Sequence, residues 1–195
     1  MTISVGLFVF PDMELLSYAG PYQVFATASA LAPPNGGHPA FRLLTIAPSA
    51  ASVEVRAGAT VLPQATIDDH LELSCLIIPG GKGVDAQIDE GRVVPWLAAQ
   101  ANTVPIIASV CTGAFLLAQT GLINGLRVAT HHAHAEELRR RFPSVDVVES
   151  RRWVDTGRFV SSAGIAAGID MALHLVERMA FHDLSVQTAR HLELN

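Results

Sequence analysis

The chain is poor in cysteine, in charge and in aromatic side chains, and each shortage excludes something. Two cysteines in 195 residues, Cys75 and Cys111, cannot build a disulfide framework, and neither belongs to a CxxC pair. Charged residues make up 16% of the chain, where about 25% is usual. Together with a hydrophobic share of 50%, this excludes intrinsic disorder, which requires low hydrophobicity and high net charge. The same shortage leaves less solvated surface than a lone monomer shows, so an oligomer is expected. A formal charge of −5 lacks the basic footprint of a nonspecific nucleic-acid binder. No apolar run approaches the roughly 20 residues that span a bilayer. Residues 1–10 carry no basic n-region and run into Pro11 and two acids, so no secretory signal is expected. These absences together predict a cytoplasmic protein in a reducing compartment, with no membrane partner.

What the sequence does have is length for one domain (1–195) and a rhythm of strand-length apolar runs alternating with amphipathic stretches. That rhythm predicts an α/β fold with a largely parallel sheet. Strands are expected over 3–10, 41–47, 76–78, 104–110 and 127–130, with hairpins over 53–62 and 153–161. Helices are expected over 14–30, interrupted near Gly20-Pro21, and over 93–100, 112–119, 133–142 and 168–179. The cluster Pro33-Pro34-Asn35-Gly36-Gly37 predicts a surface turn.

One place concentrates chemistry. In Ile106-Ile107-Ala108-Ser109-Val110-Cys111-Thr112-Gly113 a buried strand ends at a cysteine, and a helix begins within two residues. Cys111 therefore falls at the sheet's carboxyl edge, where open α/β sheets build ligand sites. The pattern is that of a nucleophile elbow, and a helix N-terminus is expected to lower the thiol pKa. The backbone amides of Thr112 or Gly113 are candidate anion donors there. Free cysteine is also a common buried hydrophobe, and spacing alone leaves both readings open. Cys75, just before an apolar strand with nothing catalytic beside it, reads as core. The loop Pro79-Gly80-Gly81-Lys82-Gly83 can aim backbone N–H groups into the same pocket or be a plain turn. It matches neither a dinucleotide fingerprint nor a phosphate-binding loop. His131, His132 and His134 cluster after a strand without an HExxH motif or neighbouring cysteines, so no metal is expected. His38 and His191 carry no assignment.

Several motifs in a fixed order carry a resemblance: Ala19-Gly20-Pro21, Ile77-Ile78-Pro79-Gly80-Gly81, Ser109-Val110-Cys111-Thr112-Gly113, Ala129-Thr130-His131, and the run from Ala163 to Asp170. Together they resemble the DJ-1/PfpI superfamily over residues 3 to about 180. The nearest subgroup holds the isocyanide hydratases and the amidotransferase-like N-terminal domains of AraC-type transcription regulators. The resemblance implies a flavodoxin-like three-layer sandwich, usually dimeric, with the cysteine on an elbow. It makes Cys111 the nucleophile and the Thr112 amide a pocket donor. It places Gly80 and Gly81 in an anion-binding loop and His131 near the thiol. Isocyanide hydratases pair the cysteine with an acidic residue three positions before the Gly-Pro pair, and Ser17 stands there instead. Serine is a poor general acid near neutral pH. Glu14, three residues earlier, shares a helical face with Ser17 in the expected helix, and is otherwise a solvated first-turn carboxylate.

Two functions follow. The first is a cofactor-free enzyme in which Cys111 attacks an isonitrile or similar electrophile to give an N-substituted formamide, in a small hydrophobic pocket formed by Tyr18, Phe25 and Phe115. The second is a ligand- or redox-sensing domain without turnover, suggested by Ser17. The protease, deglycase or glyoxalase activities of other branches rank last, because those branches place a glutamate beside the thiol. With no basic recognition helix before Asn195, direct nucleic-acid binding is not expected.

Overall fold

The computed structural model describes residues 2–32 and 40–194. The turn expected at 33–37 and His38 lie outside the described residues. Along the chain run β1 (Ile3–Phe8), α1 (Leu15–Leu31), β2 (Phe41–Ala47), β3 (Val53–Glu54), β4 (Thr60–Val61), β5 (Ala65–Thr66) and β6 (Cys75–Ile78). Then come α2 (Val84–Asp89), α3 (Val93–Gln100), β7 (Ile106–Val110), α4 (Gly113–Gln119) and β8 (Arg127–Val128). A 3-10 turn, His132–His134, leads into α5 (Ala135–Arg141), β9 (Asp146–Val147), β10 (Trp153–Asp155), β11 (Phe159–Ser162), α6 (Ala167–Met179) and α7 (His182–His191).

Seven strands form the main sheet in the order β10-β11-β7-β6-β1-β2-β5, and only the β10–β11 pair is antiparallel. Side chains alternate across it as the pleat requires. In β6, Cys75 and Ile77 enter the core beneath α1, α6 and α7, while Leu76 and Ile78 enter the core beneath α2, α3 and α4. A strand buried on both faces must be apolar at every position, and Cys-Leu-Ile-Ile is. Burial of each such Leu, Ile or Phe contributes about 1.5–3 kcal/mol. The expected α/β flavodoxin-like sandwich, helices on both faces of a mostly parallel sheet, is the architecture found.

Helix α1 differs from expectation in being continuous, with Pro21 inside it. Proline there removes only the bond to the Ser17 carbonyl. Close packing on α6 compensates for it. A Cβ at Gly20 would come within 2.9 Å of Ile169, and one at Gly168 would meet the Pro21 ring at 3.6 Å. Tertiary contact outweighs local propensity. Two helices were not legible in the sequence. Helix α2 is too short to show a period. Helix α7 is mostly polar and docks on α1 and α6 through Leu184, Ser185 and Thr188, which are buried.

Strand order positions the site. From β1 the chain steps outward to β2 and β5, and from β6 it steps the other way to β7 and β11. The reversal falls between β1 and β6, and at such a switch point the loops at the carboxyl ends part to leave a crevice. Glu14 follows β1, Gly80 to Lys82 follow β6, and Cys111 follows β7.

Candidate active site

Cys111 adopts a left-handed backbone conformation, φ 56°, which costs a non-glycine residue of order 1–3 kcal/mol. Both sides of the residue are tied down. Its N–H donates to the Ser162 carbonyl at 3.2 Å, and its own carbonyl accepts from the Thr130 hydroxyl at 2.8 Å. The sharp turn swings the side chain out of the strand, yet Cys111 remains only 7% exposed. Gly113, the first residue of α4, makes this turn possible by packing. A Cβ there would lie 2.4 Å from the Ile78 carbonyl oxygen and 2.9 Å from that of Pro79. Gly113 does not line the cavity.

The glycine loop is fastened to the segment after β1. Met13 and Gly81 form an antiparallel bridge, and the Glu14 N–H donates to the Gly80 carbonyl at 2.8 Å. A Cβ on Gly81, at φ 153°, would fall 2.4 Å from Met13 Cα, and one on Gly80 would fall 2.6 Å from the Thr112 nitrogen. Only glycine permits this approach. The Gly81 N–H donates to Thr112 Oγ1 at 2.9 Å, so it is engaged and not a free oxyanion donor as expected. Gly80 sits under Thr112, and only Gly81 of the two lines the cavity.

Backbone bonds from Asp12 to Glu54 and from Arg56 to Met13 lay the β3–β4 hairpin along the same segment. Arg56 thereby reaches Glu14, Nη1 to Oε2 at 2.9 Å. Glu14 is the residue preceding α1, in extended conformation, and its carboxylate lines the cavity beside Cys111. A carboxylate thus lines the cavity from the residue three positions before Ser17. Ser17 itself is fully buried, its hydroxyl finds no partner among the described residues, and it does not line the cavity.

The cavity measures about 340 Å³. Its wall is not formed by the three aromatic side chains expected. Phe115 contributes, but Phe25 is fully buried with its ring 5.1 Å from that of Phe41, and the Tyr18 hydroxyl pairs with Thr45 at 2.9 Å. Charged side chains nevertheless interrupt a wall that is still mostly apolar by area: Glu14 and Arg56, Lys82, Asp85, and a face of α5 carrying Glu137 and Arg141. His134, Glu137 and Arg141 recur at intervals of three and four, a helical spacing present in the sequence. Arg56 had no such signal, because its place depends on hairpin docking.

Burial pushes the Cys111 thiol above its ordinary pKa; hydrogen bonds from the Thr112 amide and hydroxyl act in the opposite direction, and the Glu14 charge adds to the rise. The expectation of a lowered thiol pKa is overturned, because desolvation outweighs what the start of α4 supplies. Burial also lowers the pKa of His131, with neighbouring His132 and His134 contributing. The His131 Nδ1 accepts from the Ala133 N–H at 3.2 Å. The neutral ring therefore carries its proton on Nε2. Among the described residues no cluster of three His, Cys, Asp or Glu groups could hold a metal ion. Among the described residues no helix is long and apolar enough to cross a membrane.

Cys75 is fully buried, and its thiol is pushed up to about 12. In native protein iodoacetamide should therefore label Cys111 alone, and the rate should keep rising beyond the ordinary thiol pKa of about 8.5. Cys75 should be labelled only after unfolding. Peptide mapping that found both cysteines labelled equally would overturn this assignment.

Comparison with known proteins agrees with the geometry. The DJ-1/PfpI family model matches residues 3–178, and the chain belongs to that family. It is 29% identical over 195 residues to an isonitrile hydratase from Pseudomonas putida, covering all of this chain and 78% of that protein. It is also 29% identical over 182 residues to the HTH-type transcriptional regulator GbdR of Pseudomonas aeruginosa, where 93% of this chain spans about half (48%) of the regulator. Among solved structures, a ThiJ/PfpI family protein from Pseudomonas syringae superposes with a TM-score of 0.87 at 23% identity, over 99% of this chain and 75% of that one. Drosophila melanogaster DJ-1beta superposes with a TM-score of 0.82 at 17% identity, over the full length of both. These two likenesses are of fold.

Proposed function

We propose that this chain hydrates small isonitriles to N-substituted formamides, with Cys111 as nucleophile and Glu14 as the group that moves the proton. The observation that carries this reading is the Glu14 carboxylate lining the same cavity as a buried, largely un-ionised thiol. Such a thiol needs a base at the moment of attack. The Glu14 carboxylate takes the Cys111 proton and passes it to the terminal isonitrile carbon while sulfur bonds to that same carbon. The product is a thioimidate, R–N=CH–S. Water then adds to the carbon, with one proton going to nitrogen. Cleavage of the C–S bond returns the hydroxyl proton to sulfur and releases R–NH–CHO. Thr112 steadies negative charge on sulfur through its amide and hydroxyl. Neutral His131 offers Nε2–H from the cavity wall to the substrate nitrogen. Arg56 orients the Glu14 carboxylate. No cofactor takes part, and the low charge of the chain favours a homodimer.

The likeness to an isonitrile hydratase over the whole chain supports this reading. A second reading, a ligand- or redox-sensing domain, is favoured by the raised thiol pKa and by the relatives that are transcription regulators. The two separate by product analysis. Incubation with an alkyl isonitrile should yield the formamide, and acid quenching should trap a Cys111 adduct with the mass of the isonitrile. Protein that binds the isonitrile without yielding formamide would move the assignment to the sensor.

A further inference from the structure

The charges around Cys111 are not equally committed. Glu14 is held by Arg56 at 2.9 Å, Asp85 by Arg141 at 2.7 Å, and Glu137 by Arg141 at 3.4 Å and by His134 at 3.2 Å. Each carboxylate lining the cavity thus already has a cation. The cations are not used up in the same way. Lys82 has no carboxylate partner among the described residues, although it lines the cavity one residue beyond the loop that packs on Cys111. Arg141 spends only Nη1 on Asp85 and Glu137, and its Nε and Nη2 make no hydrogen bond among the described residues. Its guanidinium is fixed all the same, 5.1 Å above the Phe115 ring. A planar fork with one edge anchored and the other unused is suited to a carboxylate. By charge the lining balances, three carboxylates against three cations, but Asp85 and Glu137 share Arg141, and Lys82 is left without a carboxylate partner among the described residues.

We propose that the electrophile taken by Cys111 carries a compact anionic group, of the carboxylate class, received by Lys82 and the free edge of Arg141. This deepens the thiol-dependent reading above by naming its substrate class. It also replaces the small hydrophobic molecule expected from the sequence. Lys82 is then a specificity determinant and Arg141 a binding residue, at one end of a molecule whose reacting carbon lies over the sulfur.

Iodoacetate and iodoacetamide make the test independent of turnover. Both alkylate a thiolate with loss of iodide and are nearly the same size, but only one is charged. An ordinary thiolate repels iodoacetate, so glutathione supplies the baseline ratio. Cys111 should favour iodoacetate over that baseline by about threefold to tenfold at low salt, and the preference should shrink as salt is added. Lys82→Gln should remove most of the preference, and Lys82→Arg should keep it. A ratio no better than that of glutathione, or one unmoved in Lys82→Gln, overturns the proposal. Parallel assays with isocyanoacetate and its amide distinguish the two levels of inference. Formamide production without anion preference overturns the substrate class alone. Anion preference without formamide leaves the carboxylate site standing and removes the hydratase.

Discussion

Replacing Cys111 with alanine should reduce isonitrile hydration to background, and Glu14→Gln should lower kcat by about 10²–10⁴-fold. Alanine tolerates the left-handed backbone at position 111 about as well as cysteine, so the first variant should fold and melt normally. The second variant carries a signature that damage to the fold would not produce. The Glu14 charge raises the Cys111 pKa, so neutralising it lowers that pKa and frees Arg56 near the sulfur. Alkylation of Cys111 by iodoacetamide at fixed pH should therefore become faster in Glu14→Gln while hydration becomes slower. If both rates fell together, the substitution would have disturbed the elbow. If hydration were unchanged, Glu14 would not be the proton carrier. Ser17→Ala, by contrast, should be nearly silent, because the hydroxyl it removes is buried without a partner.

Gly113→Ala is expected to destabilise the fold at the elbow itself. The added methyl would stand 2.4 Å from the Ile78 carbonyl oxygen and 2.9 Å from the Pro79 oxygen. Both neighbours are backbone, so no side chain can rotate away. Either α4 must move off the sheet or β6 must shift. Overpacking of this kind costs about 1–3 kcal/mol when side chains can adjust, and rigid neighbours put this case at the upper end. For a chain of this length, about 3 kcal/mol corresponds to a Tm lowered by roughly 6–12 °C. Because the shift separates the cysteine turn from the glycine loop, Cys111 alkylation should change as well. A Tm within 2 °C of wild type, measured by calorimetry under the same conditions, would show that the helix has room the structure does not display.

How much of this was legible in the sequence divides along a physical line. Element type was legible wherever a segment carried a repeating pattern. The strand into Cys111, the core strand of Cys75, the 53–62 and 153–161 hairpins and the long apolar helix α6 all follow from the period of their apolar residues. So did the position of Cys111 at a carboxyl edge, since a strand followed at once by a helix leaves nowhere else for it. Short or polar elements, α2 and α7, carry no period, and the continuity of α1 through Pro21 is not encoded locally, because propensity acts along the chain and packing on α6 acts across it.

The sequence by itself determined the fold class, the family resemblance and the place of Cys111 on a strand-to-helix turn, because each rests on local pattern or on motifs read in order. Only the tertiary structure decided which carboxylate meets that thiol and what its cavity is made of. Glu14 shares a cavity with Cys111 because Met13 pairs with Gly81, 68 positions away in the chain, and because the hairpin brings Arg56 to hold it. The thiol pKa likewise rises or falls with burial, which depends on every element packed around it. Charge pairing and desolvation are properties of distance in space, and distance along the chain does not encode them.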